Sequence, residues 1–159
     1  MDDEQILKST QEQAVASWVN QLNQIRLDDL MEKLTAQDCN LEDAWAELQE
    51  LKYFISAPEH ILGSLQTKHG EIAEHIQVNF SNARNLIKGL KAELTFDNVP
   101  RTAPEDYLSS GNPVQSKFLN GAERTFDAIQ KHLKDYPDFL KSGGYNSGNG
   151  YYDITRDQY

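Results

Sequence analysis

The sequence predicts an α+β fold, and three observations carry that prediction. Residues 4–34 and 41–56 hold apolar side chains at mixed three- and four-residue spacing, with no Gly or Pro. Residues 93–118 alternate apolar and polar side chains around Pro- and Gly-containing turns. Further helical patterns lie on either side of that stretch, from 67 to 90 and from 122 to 134. The expected order is an N-terminal antiparallel helical hairpin and then a small α/β core of helix, strand, strand-turn-strand and helix.

In the first helix Ile6, Val15, Trp18, Val19, Leu22, Ile25, Leu30 and Leu34 supply the apolar positions. A break is expected over 35–40, with Asn40 capping a second helix over 41–56 and Pro58 beyond its end. Trp18 and Trp45 are expected in the core of that hairpin. The third helix is the most regular, with Ile72, Ile76, Phe80, Ala83, Ile87 and Leu90 on one face. Residues 93–99 read as a first strand, and Ala122, Phe126, Ile129 and Leu133 form the stripe of the last helix. Residues 142–152 read as a Gly/Asn/Tyr loop without phosphate-loop spacing, and Thr155 and Gln158 as a capping box. The core is therefore expected to be truncated, with more of it beyond Tyr159.

Composition sets the class. With 159 residues, 38% hydrophobic and 25% charged, the chain has the make-up of a folded domain with an extension, divided here as 1–66 and 67–159. No apolar run approaches the roughly 20 residues of a membrane span, and the N-terminus lacks a secretory pattern. No membrane contact and a cytoplasmic setting are expected. The single cysteine, Cys39, excludes a disulfide framework and a cysteine zinc cluster. His69 and His75 lack the i, i+4 spacing of a helical zinc pair. The net charge of −10 is uneven: residues 1–66 carry 13 acidic and 4 basic side chains, and 67–159 carry 12 and 11. The acidity belongs to the N-terminal part, and the rest is nearly neutral.

Residues 104–108 and 114–118 read as strands joined by Ser-Ser-Gly-Asn-Pro, which supplies turn chemistry. Strand alternation puts Gln115 and Lys117 on one face and Val114, Ser116 and Phe118 on the other. With Asp106 on the first of those faces, a carboxylate, an amide oxygen and an ammonium converge. A hard cation, Mg²⁺ or Mn²⁺, takes such oxygen ligands along with waters and phosphate. A neighbouring Lys can orient water and offset phosphate charge.

These residues resemble the PD-(D/E)xK nuclease superfamily, in the variant with Gln in place of the acidic residue of the third motif, as in Mrr-like restriction enzymes. The resemblance covers roughly residues 67–135. It implies a metal-dependent endonuclease with Asp106 as the metal carboxylate and Glu71 as the upstream helical acid. It also implies Gln115 as a neutral ligand or water-positioning group, and Lys117 as the group assisting the nucleophile or transition state. Glu74 and His75 are substitutes for Glu71. Residues 68–75 and 115–118 are similar to stretches in bacterial proteins of mobile elements and defence or toxin systems, which implies DNA ahead of RNA. Arg124, Lys131 and Lys134 of the last helix could touch phosphates.

Asp, Gln and Lys are also ordinary on a solvated hairpin face, and Glu71 in a first turn complements the helix dipole. Two alternatives stand beside the nuclease. One is a non-catalytic module whose acidic N-terminal helices bind a protein partner or a second copy; the other is a nuclease fold without activity. Whether Asp106 and Lys117 approach each other over a cleft discriminates them.

Overall fold

The computed structural model describes residues 3–57, 59, 61, 68–141 and 149–158. Helix α1 spans Asp3–Ser56, α2 Lys68–Ile87 and α3 Ala122–Asp135. Strands β1 (Leu94–Thr95), β2 (Tyr107–Ser109), β3 (Asn112–Lys117) and β4 (Tyr151–Ile154) form one sheet in that order. The fold is α+β, and no described helix is long and apolar enough to cross a membrane. Two compact units divide at Asn40, the first being residues 1–40 and the second 41–159. Pro58 and residues 142–148 of the expected loop lie outside the described residues.

The expected helical hairpin is corrected to a single helix. Residues 35–40 contain Thr, Asp and Asn but no Gly or Pro, and such residues cost a helix only a few tenths of a kcal/mol each. Thr35 satisfies its hydroxyl within the helix by donating to the Met31 carbonyl at 2.9 Å. Pairs at i, i+4 add local support, with Lys33 on Asp29 at 2.7 Å and Gln24 on Asp28 at 2.8 Å. Trp18 and Trp45 are correspondingly 61% and 60% exposed rather than core residues.

In the second unit the sheet surrounds β3. Strands β2 and β3 form an antiparallel hairpin whose two-residue loop, Ser110-Gly111, has positive φ at both positions, 49° and 80°. That is the primed geometry that matches strand twist, and Gly111 adopts it without Cβ strain. On its other side β3 pairs in parallel with β4, from Val114↔Tyr151 to Lys117↔Ile154. Pro113, which has no N–H to give, precedes that pairing. With a strand on each side, β3 buries Gln115 and Ser116 as well as Val114.

Helix α2 lies on the Val114 face, where Val78, Tyr107 and Val114 form a core joined by Leu94 and Phe96. It ends in a Schellman turn: Gly89, at φ 72°, donates to Leu86 O, and Leu90 N donates to Asn85 O. Asn82 then ties α2 to β1, accepting from Glu93 N and Leu94 N, both at 3.1 Å, and donating to Leu94 O at 2.8 Å. From the end of α1, Ala44 and Leu51 are buried, and Glu47 accepts from Asn79 at 3.2 Å.

The strand expected at 93–99 is confined to two residues, because β1 is an edge strand that ends where Asn98 turns at φ 63°. The expected loop gives way at Tyr151 to β4. The expected capping box does not form: the Gln158 side chain donates to Leu119 O at 2.7 Å, and 156–158 is a single 3-10 turn.

Gly150 sits just ahead of β4, donating to the Phe139 carbonyl at 3.0 Å. A Cβ there would fall inside the contact distance of that carbonyl and of the Phe139 ring, which is 2% exposed. Gly150→Ala is therefore expected to cost about 2–3 kcal/mol, read as a lowered midpoint in urea unfolding. An unchanged midpoint would mean that this approach is not tight.

Candidate active site

The site forms where α2 crosses the end of the β2–β3 hairpin. Asp106 lies in the bend just before β2, its backbone N–H donating to Val114 O at 2.8 Å. From there its carboxylate reaches two successive residues of β3. Ser116 donates to Asp106 Oδ2 through its backbone N–H at 2.7 Å and its hydroxyl at 2.8 Å, and Gln115 Nε2 donates to the same oxygen. Among the described residues Oδ1 takes no such bond, so one oxygen is held and the other remains as an acceptor.

Strand alternation alone separates Ser116 from Gln115. The bend at Asp106 brings both onto one carboxylate, which the pairing of faces does not foresee. Lys117, half-buried, donates to Ser116 O at 3.1 Å. Burial lowers its pKa, and the charges of Asp106 and Glu74 act against that shift.

Glu74 completes the cluster from above. It stands one turn before Val78 on α2, close enough to Asp106, Glu71, Lys117 and Ser116 for each to act on its carboxyl. Burial first, and then the charges of Asp106 and Glu71, push its pKa up to about 8, while Lys117 and the Ser116 hydrogen bond act in the opposite direction. At neutral pH Glu74 therefore carries a proton.

Glu71 lines the same open cleft of about 780 Å³, together with Glu74, Glu105, Asp106 and Arg101. Of the two helical acids it is Glu74 on which Asp106, Lys117 and Ser116 act. His75 forms part of the wall instead, stacked between Phe54 at 3.6 Å and Phe96 at 4.3 Å. Its burial lowers its pKa and keeps the ring neutral.

Behind the cleft a second set of contacts fixes the approach to Asp106. His132 of α3 holds Pro104 O at 2.8 Å through Nε2, and Tyr152 of β4 at 2.6 Å through Nδ1. A carbonyl only accepts, so Nε2 carries the hydrogen and Nδ1 accepts from the Tyr152 hydroxyl in the neutral ring. Burial lowers the His132 pKa and raises that of Tyr152 to about 12, consistent with those roles. Tyr107 also spans the sheet, donating to Asp153 Oδ2 at 2.7 Å.

The donor set suits a hard cation: two carboxylates and an amide on one side of a cleft with surplus negative charge. Among the described residues no three His, Cys, Asp or Glu side chains stand as a ready-made metal cage. Mg²⁺ in particular is commonly held by one or two carboxylates, with water and substrate phosphate completing its shell.

The structure thus brings Asp106, Gln115 and Lys117 together and sets Glu71 beside them. Sequence reasoning gave Glu74 only a secondary place and missed His132 and Tyr152. His132 follows Thr125 by seven residues and Ile129 by three, on the covered face of α3, and that spacing was the available signal. No family model, curated protein or solved structure matches the chain.

Proposed function

We propose that this protein is a divalent-cation-dependent phosphodiesterase of the endonuclease type, acting on nucleic acid, with DNA ahead of RNA. One observation carries the reading: Asp106 and Glu74 line one open acidic cleft, and Lys117 is close enough for their charges to act on it. The resemblance to the PD-(D/E)xK pattern at Asp106, Gln115 and Lys117 supports it.

In this reading Asp106 and Glu74 hold Mg²⁺ or Mn²⁺, with the Gln115 amide oxygen as an optional third donor. The cation, when bound, supplies positive charge for the scissile phosphate. Lys117 is close enough to Asp106 and Glu74 for their charges to act on it, and it orients the attacking water or offsets charge at the phosphate. Ser116 holds Asp106 in place. Glu71 adds negative charge to the cleft, Arg101 lines it, and the exposed cations of α3, Arg124, Lys131 and Lys134, are candidates to meet neighbouring phosphates.

A polyanion meets repulsion from the ionised carboxylates that line this cleft until a cation neutralises them. Cation binding must also displace the proton on Glu74, and this gives a pH signature. The folded chain keeps that proton between the ordinary carboxylate range and about pH 8, where the unfolded chain has lost it. The Glu74 contribution to stability therefore falls as pH rises through that window.

Saturating Mg²⁺ or Mn²⁺ is expected to add about 1–3 kcal/mol of stability above pH 8, by mass action. The gain should be smaller near pH 6, where the proton competes. Glu74→Gln should flatten that pH dependence and raise the Tm of the cation-free protein at high pH. A Tm indifferent to both cations at either pH would contradict the reading. Cation binding without cleavage would mark a nuclease-like site that has lost its activity.

A second reading, a protein-interaction module, is favoured by the exposed apolar side chains of α1. It concerns a different part of the chain and does not compete with the cleft.

A further inference from the structure

The first compact unit, residues 1–40, is helical from Asp3, and from Lys8 to Cys39 every side chain except the half-buried Leu22 is exposed. Val15, Trp18 and Ile25 are 59%, 61% and 58% exposed. A helix in water without a packed face is only marginally stable, so such a surface calls for a partner. Val15, Trp18, Leu22 and Ile25 repeat at spacings of three, four and three, the a and d positions of two heptads. They form one apolar line along the helix.

The charges around that line identify the partner. No charged residue lies between Glu12 and Arg26. A strongly acidic or basic partner would find no countercharge along the seam, whereas a second identical helix meets no repulsion there. In the same heptad frame Glu12 and Arg26 both occupy e positions. Antiparallel helices bring e against e, so a two-fold axis near Asn20 sets Glu12 of each copy against Arg26 of the other. The same register faces Val15 with Ile25, Trp18 with Leu22, and Lys8 with Glu32.

A parallel pair loses these matches. It puts Arg26 against the neutral Gln21. The isologous antiparallel pair keeps both Glu12–Arg26 matches. From this placement we infer that a second copy of this chain pairs antiparallel with α1 along Val15, Trp18, Leu22 and Ile25.

Sedimentation equilibrium of the full chain across a concentration series tests this, with circular dichroism as the check on helix content. The parent should show a monomer–dimer equilibrium, and Trp18→Glu should remain monomeric throughout. Glu12→Arg and Arg26→Glu should each weaken the dimer on the order of tenfold, since each turns two attractive pairs into repulsive ones. The double variant E12R/R26E should return to within about threefold of the parent. A parent that stays monomeric into the millimolar range would overturn the inference. So would a trimer or tetramer, a Trp18→Glu dimer as tight as the parent's, or a double variant no tighter than the single ones.

Discussion

Lys117→Ala is expected to lower cation-dependent cleavage by at least about a hundredfold while leaving cation binding in place. Asp106→Asn is expected to lose both. The separation follows from the geometry. Lys117 donates to Ser116 O, and it offers no lone pair to a cation in its charged form. Its removal leaves the two carboxylates where they are.

Asp106 is the shared acceptor of Gln115 and Ser116, and the isosteric amide can still accept from them with its oxygen. Asp106→Asn should therefore keep the fold while removing the charge. It should also let the Glu74 pKa fall from about 8, because the Asp106 charge is one of the causes that raises it. Thermal shift against Mn²⁺, with cleavage of a plasmid and of a single-stranded oligonucleotide in parallel, reads both properties. Loss of cation response in Lys117→Ala, or its retention in Asp106→Asn, would show that the roles are assigned to the wrong side chains.

The largest expected stability loss from a single polar side chain is at Asn82, which is 3% exposed. Its Oδ1 accepts from Glu93 N and Leu94 N, and its Nδ2 donates to Leu94 O at 2.8 Å and to Glu47 Oε2 at 3.4 Å. One amide thus satisfies backbone groups that the short edge strand β1 leaves unpaired on that side. Asn82→Ala strands two N–H groups and a carbonyl together, at roughly 1–3 kcal/mol for each fully buried group. The exposed backbone around Glu93 lets water recover part of this, so about 3 kcal/mol is expected in chemical denaturation. Asn82→Asp keeps the acceptor but sets a carboxylate against Leu94 O and Glu47, and should also destabilise. A loss below about 0.5 kcal/mol for Asn82→Ala would mean that water replaces the amide fully.

Much of the second unit was legible because its signals are local. Helix α2 starts one residue from the expected position, α3 carries the expected stripe, and the turn between β2 and β3 falls on the Ser-Gly of Ser-Ser-Gly-Asn-Pro. Helix α1 was expected as two helices because residues 35–40 lack large apolar side chains and end in Asn40, a residue that favours helix caps. A breaker was missing, and the absence of Gly and Pro was the better guide. Strand β4 was missed because its reason is non-local: Tyr151–Ile154 becomes a strand by pairing with β3 across the whole of α3.

At the site, Asp106, Gln115 and Lys117 could be grouped from strand alternation. The choice between Glu71 and Glu74 could not. The two are three residues apart on one helix, and only the height at which α2 crosses β3 brings Glu74 within reach of Asp106, Lys117 and Ser116. The Ser116 contact to Asp106 likewise depends on a bend that alternation does not encode.

The most direct test of the proposed activity is cleavage of supercoiled DNA by the purified full chain with Mn²⁺, alongside identically purified Lys117→Ala. Nicking or linearisation that EDTA stops and that Lys117→Ala lacks is the predicted result. Cleavage of equal rate in the two proteins, or none by a parent that also gives no cation-dependent shift in Tm, would contradict it.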